Sequence, residues 1–183
     1  DGSIGVSTGA VEMWQVVNTK MLQVAASVFS VEPGKVKIHS TNTFRISNTS
    51  PSAAGATADL NGRAVEMACN EIAGRLKKVA AEILDVDSSC IEFRNEMVWA
   101  DGTPANLGWN GLVLTAYSKR ISLSEHAHYT PSVIHYDVAT EKGQPFAYHV
   151  YGTAITVVTV DCLRGTYELD AVKIVHDFGA SMN

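Results

Sequence analysis

The sequence predicts a mixed α/β fold in packed α+β layers, and three observations carry that expectation. A single apolar stripe recurs at helical spacing through Val65, Ala68, Cys69, Ile72, Leu76, Val79 and Ile83, long enough for a central helix. Two stretches rich in β-branched residues flank Leu163-Arg164-Gly165 near the end of the chain, as strands flank a turn. Elsewhere helical and strand periods alternate irregularly, which favours mixed layers over a pure bundle or sandwich.

The elements follow in order. Asp1-Gly2 reads as the turn of a hairpin leading into a strand at residues 4–6, because Asp-Gly supplies the positive φ such turns need. A chain that opens in mid-hairpin is expected to be a piece of something larger. Met21, Val24, Ala25 and Val28 share one helical face, predicting a helix over residues 16–30 that Pro33-Gly34 stops. Residues 36–40 alternate as a half-buried strand, and residues 41–50, dense in Thr, Asn and Ser, read as a loop. Ser50 is the expected N-cap of the long helix, with Pro51 at its first position, where a missing N–H is harmless. Asp85, Asp87, Ser88 and Ser89 close it near Leu84.

Residues 90–99 followed by Asp101-Gly102 suggest a hairpin, residues 111–121 a short helix, and residues 122–144 a polar, poorly patterned stretch. The last strands are expected at 147–160 and 166–176.

The 183 residues allow about one domain. The expectation is a single domain, residues 1–183, excised from a larger protein. At 46% hydrophobic and 18% charged residues the chain can build a core and is not a disordered tail. A net charge of −5 removes the chain-wide basic footprint that nucleic acid or anionic lipid would favour. Cys69, Cys90 and Cys162 are far apart, which argues against a zinc knuckle or disulfide scaffold and suits a reducing, cytoplasmic setting. No apolar run approaches the roughly 20 residues a membrane helix needs.

Two places could carry chemistry. The first is the loop through Glu12-Met13-Trp14-Gln15, which joins a strand to a helix and can present backbone N–H groups and one side-chain amide. The second is Ser50-Pro51-Ser52-Ala53-Ala54-Gly55-Ala56-Thr57-Ala58, where eight of nine residues are small and the long helix begins. Small side chains let a bulky group approach the backbone, and the helix dipole adds about 0.3–1 kcal/mol for an anion. The same composition also serves close packing, and a Thr/Asn-rich loop is ordinarily solvated. Composition and spacing leave these readings open.

The segment Thr8-Gly9-Ala10-Val11-Glu12-Met13-Trp14-Gln15-Val16-Val17-Asn18-Thr19-Lys20 resembles the GG-x-E-M-G-Q-G-x-x-T-K motif of the molybdenum hydroxylases, the xanthine dehydrogenase and aldehyde oxidase family. The likeness continues through Met21-Leu22-Gln23-Val24-Ala25, Asn48-Thr49-Ser50-Pro51-Ser52-Ala53-Ala54 and Ala58-Asp59-Leu60-Asn61-Gly62. It returns at Tyr151-Gly152, Val160-Asp161, Leu163-x-Gly165 and Ile174-Val175-His176-Asp177-Phe178-Gly179, with the middle of the chain weak.

The resemblance implies the molybdopterin-binding domain of such an enzyme and a molybdenum–molybdopterin cofactor. It further implies hydroxylation of an aldehyde or N-heterocycle with water-derived oxygen, as in purine catabolism. Gln15 matches the glutamine whose amide contacts the cofactor near the metal. Ala53, Ala54, Gly55 and Thr57 match the small-residue loop against the cofactor, and Ser52 stands where the family often has Thr. The implied partners are the rest of the molybdenum subunit, iron–sulfur and FAD parts and a small-molecule substrate, with neither nucleic acid nor membrane. The family's general-base glutamate belongs to a Gly-Glu motif beyond residue 183, so no catalytic residue and no direct metal ligand are assigned here, and the 183-residue piece is expected to be inactive.

The chain departs from the motif where the family has glycine on both sides of the glutamine, carrying Trp14 and Val16 instead. A left-handed backbone costs a residue with a Cβ about 1–2 kcal/mol. The expectation is therefore a reshaped loop whose indole takes space a pterin needs, and a chain that does not bind the cofactor in the family's manner. Its alternative function is a cofactor-free scaffold or assembly module of the same fold; an unrelated binding domain is a third. His126, His128 and His135 suggest a metal arrangement on paper but read as a solvated loop. His176-Asp177 would point to opposite faces of a strand, and Cys69 reads as a small core residue.

Overall fold

A computed structural model of the chain describes residues 1–39, 41–46 and 49–180, leaving out the Ala54 side chain. Ser40 of the expected strand, and Ser47 and Asn48 of the expected loop and motif, lie outside the described residues, as do Ser181-Met182-Asn183. The backbone divides into two compact units, Asp1–Thr130 and Pro131–Asn183.

The first unit opens with strand β1 (Ile4–Ser7), helix α1 (Val17–Phe29) and strand β2 (Val36–His39). β1 and β2 pair in parallel with Ile4 opposite Val36, so α1 is the crossover of a short βαβ unit. The strand beside β1 is thus β2 and not a hairpin mate, although Gly2 does take a turn's left-handed φ of 79°. Met21 and Ala25 are buried on α1 as expected, while Val24 and Val28 are half-buried and the buried face runs on through Val17 and Phe29. Ser30 ends the helix in the left-handed conformation.

Helix α2 (Ala54–Leu84) spans 31 residues and packs along α1. Val65, Cys69, Leu76 and Val79 are buried as expected, but Ile83 is 42% exposed. Near its end the buried face passes instead to Ala80 and Ala81. Strands β3 (Ile91–Arg94), β4 (Met97–Ala100) and β5 (Thr103–Gly108) form an antiparallel meander, followed by α3 (Trp109–Ser118). Its two turns place Asn95-Glu96 and Asp101-Gly102 at positive φ. The first extends the single expected hairpin to three strands.

Trp109 joins the far ends of this unit. Its ring lies 5.3 Å from Phe29 and 5.9 Å from Phe93, and its Nε1 donates to the Gly2 carbonyl at 2.8 Å. A buried indole thus meets both needs, apolar contact and a partner for its N–H.

The second unit holds two antiparallel ribbons, β6 (His135–Asp137) with β7 (Lys142–Gln144) and β8 (Tyr151–Asp161) with β9 (Thr166–Asp177). The long ribbon matches the predicted terminal strands, with Tyr151 opposite Asp177 and a register shift at Val157/Val158. The small β6–β7 ribbon falls in the stretch that carried no strand pattern.

Candidate functional site

Where β1 ends, the chain turns through a short loop into α1, and that loop is bonded to the start of α2. Thr8 is buried; its hydroxyl donates to Asn61 Oδ1 at 2.8 Å and accepts the Ala10 N–H at 3.2 Å. The Thr41 hydroxyl lies within 2.9 Å of the Thr8 and Ala10 carbonyl oxygens. The Val11 N–H donates to Ser52 Oγ at 2.8 Å, a direct bond from the loop to the small-residue segment 41 positions on. Gly9 is required by proximity: a Cβ there would stand 2.8 Å from Thr49 Cβ. The two predicted places are neighbours.

The N-terminus of α2 corrects one expectation. Ser50 and Pro51 do not begin the helix; Ala53 is the N-cap, with extended backbone and no side-chain cap. The Ser52 hydroxyl is taken by Val11, so the outward loop bond replaces a cap. Thr57 instead reaches back from inside the helix and its Oγ1 accepts the Ala53 N–H at 2.7 Å. Asn61 Nδ2 donates to the Thr57 carbonyl at 2.9 Å, linking this turn to Thr8. The first-turn N–H groups of a helix lack intrahelical partners, no acidic residue stands in this first turn, and a Cβ built on Gly55 meets no atom within 4 Å. The start of α2 is open and suited to an anionic group of some bulk.

Each predicted site residue can now be placed. Ala53 and Gly55 are exposed at this open start, and Ala54 contributes its backbone, its side chain being outside the described part. Thr57 is buried, and its hydroxyl oxygen accepts the Ala53 N–H, which holds the helix start in shape. Gln15 is half-buried in the loop, and its amide folds back on its own turn. Nε2 donates to the Val11 carbonyl at 2.7 Å and Oε1 accepts the Met13 N–H.

Trp14 and Val16, the two departures from the motif, flank Gln15 in this loop. Both have left-handed backbone, at φ 70° and 60°, a region glycine enters without steric cost. The Trp14 indole is 100% exposed and fills no pocket in the protein. The strain is retained because Glu12 spans the turn: one carboxylate oxygen accepts the Val16 N–H at 2.9 Å and the other the Asn18 N–H at 3.1 Å. Charge-assisted bonds of this kind contribute about 1.5–3 kcal/mol each, enough to offset about 1–2 kcal/mol of left-handed strain per residue.

A cavity of about 160 Å³ lies on the flank of the loop, between Thr8, Gly9, Thr49, Asn61, Cys69 and His126. None of the five predicted residues lines it, and it is smaller than the 300–1,000 Å³ typical of a ligand pocket. Burial pushes the Cys69 thiol up to about 11, consistent with an inert core residue. The segment expected to be a solvated loop is tied down here, because Arg75 Nη2 donates to the Ser124 carbonyl and to Glu125 at 2.9 Å. The His126 N–H and Arg75 hold the Glu125 carboxyl below the usual range, against partial desolvation. Among the described residues no three His, Cys, Asp or Glu side chains gather as a metal site, and no helix is long and apolar enough to cross a membrane.

Sequence reasoning missed Glu12 and Asn61 as organisers. Glu12 sat in the quoted motif, but only the folded loop shows what its carboxylate spans.

The family described as molybdopterin cofactor-binding domain matches residues 1–183. The chain is 37% identical over 183 residues to a xanthine dehydrogenase of Oryza sativa subsp. japonica, covering 100% of this chain and 12% of that protein. It is 36% identical, with the same coverage of both, to a xanthine dehydrogenase/oxidase of Gallus gallus. The chain thus spans about an eighth of the length of these relatives. The crystal structure of quinoline 2-oxidoreductase from Pseudomonas putida 86 superposes with a TM-score of 0.73 at 20% identity, over 100% of this chain and 23% of that one. At that identity the superposition establishes the fold.

Proposed function

We propose, from the premise that this chain belongs to the molybdopterin cofactor-binding domain family of xanthine dehydrogenase-like molybdenum hydroxylases, that it forms one wall of the molybdopterin site in a larger oxidoreductase. The observation that carries the reading is the 2.8 Å bond from the Val11 N–H to Ser52 Oγ, which sets the Gln15 loop beside the open start of α2.

The residues present fit such a group. Free space over Gly55 leaves room for a bulky organic ligand at the backbone. The uncapped, acid-free first turn of α2 supplies N–H donors and a favourable dipole for its anionic parts. Ala53 and Gly55 would border it, Ala54 would lend it backbone, and Gln15 would turn its amide from its own loop to the ligand. When bound, molybdenum–molybdopterin supplies the redox chemistry that hydroxylates a carbon of an aldehyde or N-heterocycle with oxygen from water. This chain's share is placement: Thr57 and Asn61 fix the helix start, and Glu12 and Ser52 fix the loop. A general base, iron–sulfur and FAD parts and the remainder of the molybdenum subunit complete the proposed enzyme, in which residues 1–183 act together as one excised region. The 183-residue chain alone is proposed to have no turnover.

One observation favours a second reading, a scaffold of the same fold without cofactor: both polar atoms of the Gln15 amide are already bonded within the loop. Molybdenum and pterin content of the complete protein and of Gln15→Ala separates the two. Near-stoichiometric cofactor that falls at least about tenfold in the variant is expected, a loss of more than about 1.4 kcal/mol of binding because the starting site is nearly full. Cofactor-free protein from molybdenum-replete cells would support the scaffold.

A further inference from the structure

We infer that Glu12 is a positioning residue for the Gln15 amide, acting as a brace that holds two non-glycine residues in glycine-like conformations. The inference rests on the reading of Gln15 given above. The Glu12 carboxylate reaches forward to the Val16 and Asn18 N–H groups at 2.9 and 3.1 Å, using both oxygens. Val16 is the N-cap of α1, with left-handed backbone and no capping side chain of its own. The residues at positive φ, Trp14 and Val16, flank Gln15 on either side, so whatever holds them also sets the direction of the amide between them.

Packing does not do this work. The Trp14 indole is wholly exposed, Val16 is 55% exposed and Met13 48% exposed. The brace is made of hydrogen bonds, and both of its forward bonds come from one side chain. A carboxylate suits the place for two reasons. Its two acceptors match two N–H donors, which an amide would meet with one acceptor and one donor group. Its charge also lies at the positive end of α1. Glu12 thereby fills that helix terminus and leaves α2 as the open one.

Glu12 carries a larger share of the load while positions 14 and 16 bear a Cβ. Glycine reaches positive φ without the steric cost, so a loop with Trp14→Gly and Val16→Gly should depend on the brace much less. The test is a four-member cycle in the complete protein: unmodified, Glu12→Gln, the double glycine variant, and all three changes together. Two quantities are read, the molybdenum-to-protein ratio after dialysis and the amide hydrogen exchange of residues 13–18 in cofactor-free protein.

The expected result is a loss of at least about tenfold in retained molybdenum and in protection for Glu12→Gln, shrinking to about twofold or less in the glycine background; the reference scale is 1.4 kcal/mol per tenfold. Equal losses in both backgrounds would overturn the inference, since a residue needed only for folding, or one touching the cofactor itself, would not be relieved by glycine. Retained molybdenum and protection in Glu12→Gln, with loss in Gln15→Ala, would overturn the brace and leave the cofactor reading standing. Retained molybdenum in Gln15→Ala would overturn both.

Discussion

Replacing Trp14 by glycine should stabilise the protein. Its φ of 70° lies in the left-handed region, and the indole is 100% exposed, so removing it exposes no buried surface. Relief of the left-handed conformation contributes about 1–2 kcal/mol. The greater freedom of glycine in the unfolded chain takes back about 0.5–1 kcal/mol. The balance is a gain of about 0.5–1 kcal/mol, or a rise in Tm of about 1–4 °C for a chain of this size. Trp14→Ala is the control, since it deletes the indole but keeps the Cβ and its strain, and should stay within about 0.5 kcal/mol of the original. Urea unfolding of the cofactor-free protein, followed by circular dichroism and compared at unchanged m-value, reads both. If alanine and glycine behave alike, or if glycine destabilises by more than about 1 kcal/mol, position 14 is not left-handed and the account of the loop fails.

Gly9→Ala should destabilise by about 1–3 kcal/mol, because its Cβ would press on Thr49, 2.8 Å from that residue's Cβ; an unchanged urea midpoint would mean the loop is not seated there. Cys69, raised to about 11 from 9.0, keeps its proton longer in the folded state than in the unfolded one. Its contribution is therefore complete below pH 9 and lost as pH rises toward 11, by about 2–3 kcal/mol. Cys69→Ala should flatten that part of the stability–pH curve. A disulfide-forming thiol reagent at pH 8 should label the exposed Cys162 at once and the buried Cys69 only on unfolding; rapid labelling of Cys69 would contradict its burial.

How much of this was legible depended on whether a residue's partner lay close in sequence. Helix α1 was readable because Met21, Val24, Ala25 and Val28 report one face by spacing alone, and β8 and β9 because their β-branched runs flank a glycine turn. The beginning of α2 was misread because Ser50 and Pro51 satisfy two local starting signals, a capping side chain and a proline at the first position. What displaced the start to Ala54 is Ser52, whose hydroxyl belongs to Val11 across the fold. No local rule sees a bond 41 residues long. The β6–β7 ribbon was invisible for the opposite reason, since three-residue exposed strands have no buried face to set a period.

The candidate site was legible in part. Gly9 and the run through Gly55 could be singled out as small residues in suggestive places, and the motif likeness joined them to Gln15. That they adjoin is a fact of the fold. How the loop accommodates Trp14 and Val16 was not legible, because the counterweight to their strain does not show in the spacing. Steric cost per residue was the right quantity, but the Glu12 carboxylate, able to bond two N–H groups at once, opposes it. Thr57 shows a second role that spacing does not reveal: its hydroxyl oxygen also accepts the Ala53 N–H at the helix start.

The most direct test of the proposed cofactor wall is Gly55→Leu in the complete protein, with molybdenum and pterin measured against protein. A Cβ at position 55 meets nothing within 4 Å, and leucine is a better helix former than glycine by roughly 0.5–1 kcal/mol, so the fold should be kept or strengthened. The account predicts a thermal midpoint at least as high as before and a cofactor content reduced to less than about a tenth. A Gly55→Leu protein that keeps its molybdenum and pterin in full would show that the open start of α2 is not where the cofactor lies.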